Sequence, residues 1–253
     1  YLFRDFGAVG RIPYLVPVVW ENEWPVLGID GIVPDSLDLP ASKGLMPGIV
    51  ASDDFSREAN DRDLPLVWQW NHNPVNELWS VHEREGYLRL KTGSVVAELQ
   101  QARNTLTQRT FGPQSSAEIL VDVTGMIEGD NAGICAFQRK YGQVGVKIEN
   151  GEKFIVMISN QTDTPTEIES VALTNDKVFL KVECDYRNRT DLAHFYYSLD
   201  GKEWKKIGNE LKMQYTLMEH FMGYRFGLYN YATQKQGGYA DFDYFTISDK
   251  ISE

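Results

Sequence analysis

Cysteine, basic charge and long apolar runs are all scarce in this sequence, and each scarcity closes off a class of function. Cys135 and Cys184 are the only 2 thiols in 253 residues. They form no disulfide framework, and no CxxC spacing suggests a metal or redox site. Both lie in apolar-alternating segments, so they are expected as buried free thiols. Lys and Arg number 25 against 36 Asp and Glu, a net charge of −11. Nucleic-acid phosphates demand a basic footprint and anionic membrane surfaces attract one, so neither suits this chain. A neutral sugar polymer or a divalent cation is compatible with that charge. No apolar run is long enough to span a bilayer. No signal-peptide pattern is present, and a chain that starts at Tyr1 reads as a fragment or processed form. Bacterial cytoplasm and secretion both stay open.

Helical periodicity is scarce as well; alternation and turn signals dominate. Tyr87-Leu-Arg-Leu, Ala117-Glu-Ile-Leu-Val-Asp-Val, Phe154-Ile-Val-Met-Ile and Lys177-Val-Phe-Leu-Lys-Val all alternate in period two. His194 to Leu199, Asp200-Gly201 and Trp204 to Ile207 predict a hairpin, with Asp-Gly as a type I′ turn. The last strands are predicted around Tyr224–Tyr231 and Tyr239–Ile247. This pattern specifies an all-β fold, a two-sheet antiparallel β-sandwich of jelly-roll type. Aromatics reach 12%, with 13 Tyr and 6 Trp, enough that some rings are candidates for half-wet, sugar-facing positions.

Residues 1–49 differ. Arg11-Ile-Pro-Tyr-Leu-Val-Pro-Val-Val-Trp20 and Trp24-Pro-Val-Leu-Gly28 read as Pro-interrupted strands. Val33 to Pro47 holds three prolines and few strand formers. The expected division is a strand pair over 1–34, an extended linker over 35–49 and the sandwich over 50–253. Proline favours edges and extended chain, so the head is expected outside the sandwich core. Two strands alone are marginally stable, so the head is expected to dock on its own sandwich or on a second copy, giving a homodimer.

At these residues the chain resembles glycoside hydrolase family 43. Arg11-Ile-Pro-Tyr-Leu-Val-Pro-Val and Trp24-Pro-Val-Leu-Gly resemble the closing strands of that family's five-bladed propeller. Ala51-Ser-Asp-Asp-Phe, Trp68-Gln-Trp-Asn-His-Asn-Pro74, Asn104-Thr-Leu-Thr-Gln-Arg-Thr110, Gly142-Gln-Val-Gly-Val-Lys and Gly237-Gly-Tyr-Ala-Asp-Phe-Asp-Tyr-Phe245 resemble its C-terminal concanavalin A-like sandwich. The resemblance implies a β-xylosidase or arabinofuranosidase parent acting on xylan or arabinan. It also implies a catalytic propeller as partner. The carboxylates for inverting hydrolysis, roughly 6.5–9.5 Å apart, belong to early and middle blades with no counterpart here. Catalysis by this chain alone is therefore not expected.

Candidate site residues follow from these segments. Trp70, Asn71 and His72 combine indole, amide and imidazole, suited to a sugar pocket or, equally, to core and turn. The polar segment around Gln108 and Arg109 looks loop-like. By resemblance it is a candidate to reach the propeller's active-site mouth, and a guanidinium fork suits hydroxyls and carboxylates. Gln138, Tyr141 and Tyr229, with Tyr197 and Tyr231, could line a concave sheet face or fill the core. Asp54 and Asp241 open and close the sandwich. Related sandwiches often hold a structural calcium near such positions, so Ca²⁺ is the expected cofactor if these carboxylates meet. His82, His194 and His220 have no ligand-like spacing. Two functions remain: a non-catalytic carbohydrate-binding module for xylan or xylo-oligosaccharides, or an accessory domain that braces a catalytic propeller and lends a loop to its site.

Overall fold

Alternating apolar residues give each strand one face that must leave water, and two such faces meet here as a sandwich. The computed structural model describes residues 2–38, 48–58, 60–214 and 222–252. Most of the expected linker, and His220, lie outside these described residues. One antiparallel sheet runs, edge to edge, Thr166–Leu173, Glu152–Ser159, Gly142–Glu149, Asp130–Phe137, Arg225–Ala232, Leu106–Arg109 and Gln69–Trp70. The other runs Lys205–Lys206, Leu192–Ser198, Lys177–Asp185, Gln114–Asp122, Tyr239–Ser248, Leu88–Lys91 and Trp79–Ser80, with Leu211–Lys212 also paired to Leu192–Ser198. Ile134, Val144, Ile155 and Leu228 from the first sheet share one buried cluster with Ile119, Leu180, Phe195 and Phe242 from the second. Cys135 and Cys184 are free and buried.

The beginning and end of the sandwich meet. Asp53 and Phe245 exchange backbone hydrogen bonds of 2.8 Å in both directions. The Asp53 carboxylate takes two bonds from Arg57 (2.9 and 2.7 Å) and one from the Trp68 indole N–H at 2.8 Å. Trp68 lies edge-on to Phe245, with ring centroids 4.9 Å apart. A second ionic cluster joins neighbouring strands. Asp122 and Asp241 face each other in register, and Arg84 donates to both, at 2.8 and 3.0 Å. Arg89 grips Asp241 through two further bonds of 2.7 and 2.8 Å. Two like charges directly opposite would repel; the arginines convert that repulsion into attraction.

The head forms two hairpins, Leu2–Asp5 with Arg11–Tyr14 and Val18–Glu21 with Trp24–Leu27. The first is anchored: Tyr224 donates its N–H to the Ala8 carbonyl at 2.9 Å, and Gly10 bridges Met222. Gly10 sits at φ +93°, and a Cβ there would lie 2.4 Å from the Gly223 nitrogen. Ala8 is fully buried in the main core, so the head does not stay wholly outside it. A small residue between two glycines is what allows that approach. The Asp200-Gly201 turn also differs from expectation. Strand pairing stops at Tyr197 with Lys205, and only Gly201 takes a positive φ, +73°. The Asp200 carboxylate instead accepts from the Lys202 and Glu203 N–H groups at 2.9 Å, which stabilises a longer loop.

Two stability predictions follow from these contacts. Arg57 is only 7% exposed in its side chain, so Asp53→Ala strands a buried guanidinium and is expected to cost about 3–5 kcal/mol in urea unfolding. A loss below about 1 kcal/mol would show that the closure is not stabilised by this carboxylate. Asp130 is fully buried, with Oδ2 accepting from the Ile127 N–H at 2.9 Å and Oδ1 without a partner. Burial pushes its carboxyl up to about 6. A raised folded-state value favours the neutral form, so its stabilisation is complete below about pH 4 and is lost as pH rises through about 6. Asp130→Asn is expected to remove a pH-dependent loss of up to about 3 kcal/mol from unfolding curves taken between pH 4 and 8.

Candidate functional site

Alternation sends Ile134, Val144 and Leu228 inward and therefore turns Cys135, Gln143 and Tyr229 to the outer face of the seven-stranded sheet. This is the face expected to be concave and wet, and it is closed. A short turn, Leu99–Gln101, lies across it, and Leu99 and Ala102 pack with Phe137, Tyr141, Tyr229 and Tyr231 into a second apolar cluster. Tyr141 and Tyr229 are fully buried and Gln138 is nearly so. None of these rings offers a flat face to a sugar. Tyr229 and Tyr231 lie 5.8 Å apart by ring centroid, and the Tyr229 hydroxyl has no hydrogen-bond partner. Its room comes from Gly133 and Gly145, which oppose each other in register; a Cβ on Gly145 would stand 2.3 Å from that hydroxyl. Burial holds the Tyr229 hydroxyl well above the usual phenol range.

Three of the sequence candidates do converge. Asn71, His72 and Gln138 line a cleft of about 400 Å³ together with Gln100, Arg139 and Met222. His72 Nε2 lies 2.9 Å from the Gln100 carbonyl, and the Gln100 amide donates to the Arg139 carbonyl at 2.8 Å. The Gln138 amide donates to the Met222 carbonyl at 3.2 Å and accepts from the Arg139 N–H at 2.5 Å. The cleft thus presents amides and backbone groups held in place by each other, with no carboxylate among its lining residues. Such a set can bond to hydroxyls and has no paired acid and base for hydrolysis.

The other candidates are placed differently. Trp70 points inward and packs on Trp79, ring centroids 5.2 Å apart, so it serves the core edge. Gln108 belongs to a strand and not a loop. It is fully buried, and its amide clamps both backbone groups of Ala51 at 2.9 Å. A Thr- and Gln-rich segment can lie in a sheet when its polar atoms are satisfied in this way. Arg109, next in the chain, points to the outer face and is exposed. Arg225 stands opposite it in register and is 5% exposed; as the one charged residue of the strand Arg225–Ala232 it could have been flagged from the sequence. Arg225 donates to the Thr107 hydroxyl at 2.7 Å and to the Gln69 side-chain carbonyl. The expected calcium site does not fit these residues. Asp241 is gripped by Arg84 and Arg89, and Asp54 is exposed and caps the Ser56 N–H at 3.0 Å. Among the described residues no group of three or more His, Cys, Asp or Glu could hold a metal ion.

The fold and these faces place the chain in a known class. The model of the β-xylosidase C-terminal concanavalin A-like domain matches residues 52–248, and the chain belongs to that family. A β-xylosidase of Formosa agariphila is 28% identical over 270 residues, covering 96% of this chain and 43% of its own length. A non-reducing end α-L-arabinofuranosidase of Bacteroides ovatus is 25% identical, covering 95% of this chain and 45% of its own length. A solved bifunctional GH43-CE protein of Bacteroides eggerthii superposes with a TM-score of 0.93 at 63% identity, over 100% of this chain and 32% of that one. The chain therefore spans less than half the length of these relatives.

The closed outer face yields a packing test. Gly145→Ala places a methyl 2.4 Å from the Ala132 carbonyl oxygen as well as against Tyr229, and is expected to cost about 1–3 kcal/mol. Tyr229→Phe removes a buried hydroxyl with no partner and is expected to be neutral or stabilising by up to about 1 kcal/mol. Thermal unfolding of both variants checks the pair. A strongly destabilised Tyr229→Phe would mean that the hydroxyl is bonded after all.

Proposed function

We propose that this chain is the non-catalytic accessory domain of a xylan-active glycoside hydrolase, and that it braces a catalytic domain through its head. The observation that carries this reading is the apolar surface of the second hairpin. Trp20 and Trp24 are 71% and 75% exposed on paired strands, beside exposed Val18, Val19, Ile29 and Ile32. Exposed apolar residues scattered singly are ordinary, whereas a contiguous group of this kind marks a contact surface. The hairpin is fixed in the chain by its neighbour, which Ala8 anchors in the core. Relatives more than twice as long carry the names β-xylosidase and α-L-arabinofuranosidase, which supports a catalytic unit as the occupant.

The cleft lined by Asn71, His72 and Gln138 supports carbohydrate binding as a second reading. Co-sedimentation of the chain with insoluble xylan, with cellulose as comparison, tests that reading directly. Retention on xylan alone, lost on Asn71→Ala, would favour it.

The bracing contact is tested by mixing this chain with the catalytic portion of the B. eggerthii relative and following association by ultracentrifugation. A one-to-one complex is expected. Trp20→Ser with Trp24→Ser is expected to weaken it by about tenfold or more, because buried tryptophans dominate interface energies. These side chains lie outside the core, so the double variant should retain its own unfolding midpoint. No complex, or a complex indifferent to both substitutions, would overturn the reading.

A further inference from the structure

Arg109 and Arg225 are two like charges placed directly opposite on adjacent strands. The opposing Asp122 and Asp241 have Arg84 between them, yet among the described residues no carboxylate pairs with either arginine of this second set. The arrangement is costly. Arg225 is 95% buried by its 5% exposure, its Nε has no partner, and its other nitrogens meet only neutral oxygens of Thr107 and Gln69. Burial, and then the Arg109 charge, hold its guanidinium down to about 10. An uncompensated buried cation is strongly unfavourable unless an anion offsets it.

Arg109 also lines a second cleft, of about 850 Å³, together with Asp61, Arg62, Pro65, Leu66 and Gln69. Asp61 is engaged with the Glu58 N–H at 2.9 Å, and Arg57, which also borders the cleft, is committed to Asp53. Arg62 and Arg109 outnumber Asp61, whose bond to a neutral N–H leaves its charge in place, so the lining stays net positive in a chain whose overall charge is −11. Gln69 reaches the cleft while its side-chain carbonyl is held by Arg225, so the buried charge acts from the wall behind it. The volume suits one to a few sugar rings, and the apolar lip suits their C–H faces.

We propose that the cleft lined by Arg62 and Arg109, with Arg225 behind Gln69, binds a carboxylate carried on a sugar ring, that is, a hexuronate substituent of a xylo-oligosaccharide. The carboxylate lies against the Arg109 fork, where two parallel N–H bonds can form, and Arg225 adds attraction from behind Gln69. This rests on the glycan-directed part of the function proposed above, not on the bracing contact. Failure of the head to bind a catalytic domain leaves it untouched, so the two fail separately.

Calorimetry on the whole 253-residue chain tests this, comparing xylotriose with xylotriose bearing one glucuronate. The acidic sugar is expected to bind about tenfold tighter or more at low salt, and to lose that advantage as salt rises. Arg109→Gln and Arg62→Gln, both at exposed positions, should remove the preference without changing the fold by circular dichroism. Arg225→Met is a harsher variant, so the two exposed positions carry the test if it fails to fold. Equal affinity for both sugars, binding of neither, or a preference untouched by Arg109→Gln overturns the proposal. A short Asp-containing peptide that binds where the acidic sugar does not would overturn it in favour of a protein carboxylate.

Discussion

The rest of the sandwich depends on how its two ends are tied together, and that tie is the Asp53 carboxylate. One side chain accepts two bonds from Arg57 and one from Trp68, while its backbone exchanges bonds with Phe245 in the last strand. Trp68 in turn precedes the edge strand of the seven-stranded sheet and packs on Phe245 of the other. Both sheets, the first described sandwich segment and the last strand therefore meet around one anion. Its charge is neutralised within a few ångströms, so burying it is tolerable. Of the two carboxylates expected to hold calcium, Asp241 is engaged by Arg84 and Arg89, while Asp54 caps the Ser56 N–H.

Closure of the core also decides what the outer faces can do. Apolar and aromatic residues that alternation sends outward from the seven-stranded sheet could have formed an open sugar-binding trough. The turn Leu99–Gln101 covers them instead, and the glycines at 133 and 145 let Tyr229 sink into the sheet surface. What stays open lies at the margins: a cleft of amides around His72, a cleft with Arg62 and Arg109 beside Arg225, and the exposed head. Each margin has a different chemistry, so the proposed bracing contact and the proposed ligand contacts do not compete for one surface. The apolar head suits another protein surface, and the polar clefts suit hydroxyls or carboxylates.

The fold is largely legible in the sequence, because strands such as Ala117 to Val123 and Lys177 to Cys184 alternate cleanly and one face of each must be buried. The beginning and end of the sandwich do lie together, at Asp53 and Phe245, but the aspartates expected to meet there take separate partners, Asp53 with Arg57 and Asp241 with Arg84 and Arg89. The site is much less legible. Period two tells that Tyr229 and Arg225 share a face, but not that a turn from residues 99–101 will cover the first and leave the second beside a cleft. Gln108 reads as loop-like because its polar neighbours lack strand character; backbone pairing opposite Phe226 makes it a strand residue, and its side chain is satisfied by Ala51, both far away in sequence. The Asp200-Gly201 pair shows the same limit, since local side-chain bonds replace the tight turn its dipeptide suggests. His72 and Gln138 come together through contacts distant in the chain, which no single stretch of sequence encodes.

The most direct measurement for the bracing account is hydrogen–deuterium exchange on this chain, alone, with xylo-oligosaccharides, and with a family 43 catalytic domain. The account predicts new protection over the hairpin Val18–Glu21 and Trp24–Leu27 with the catalytic domain and none there with the sugars. Protection confined to the segments around His72 and Gln138, appearing with sugar and absent with the catalytic domain, would contradict it.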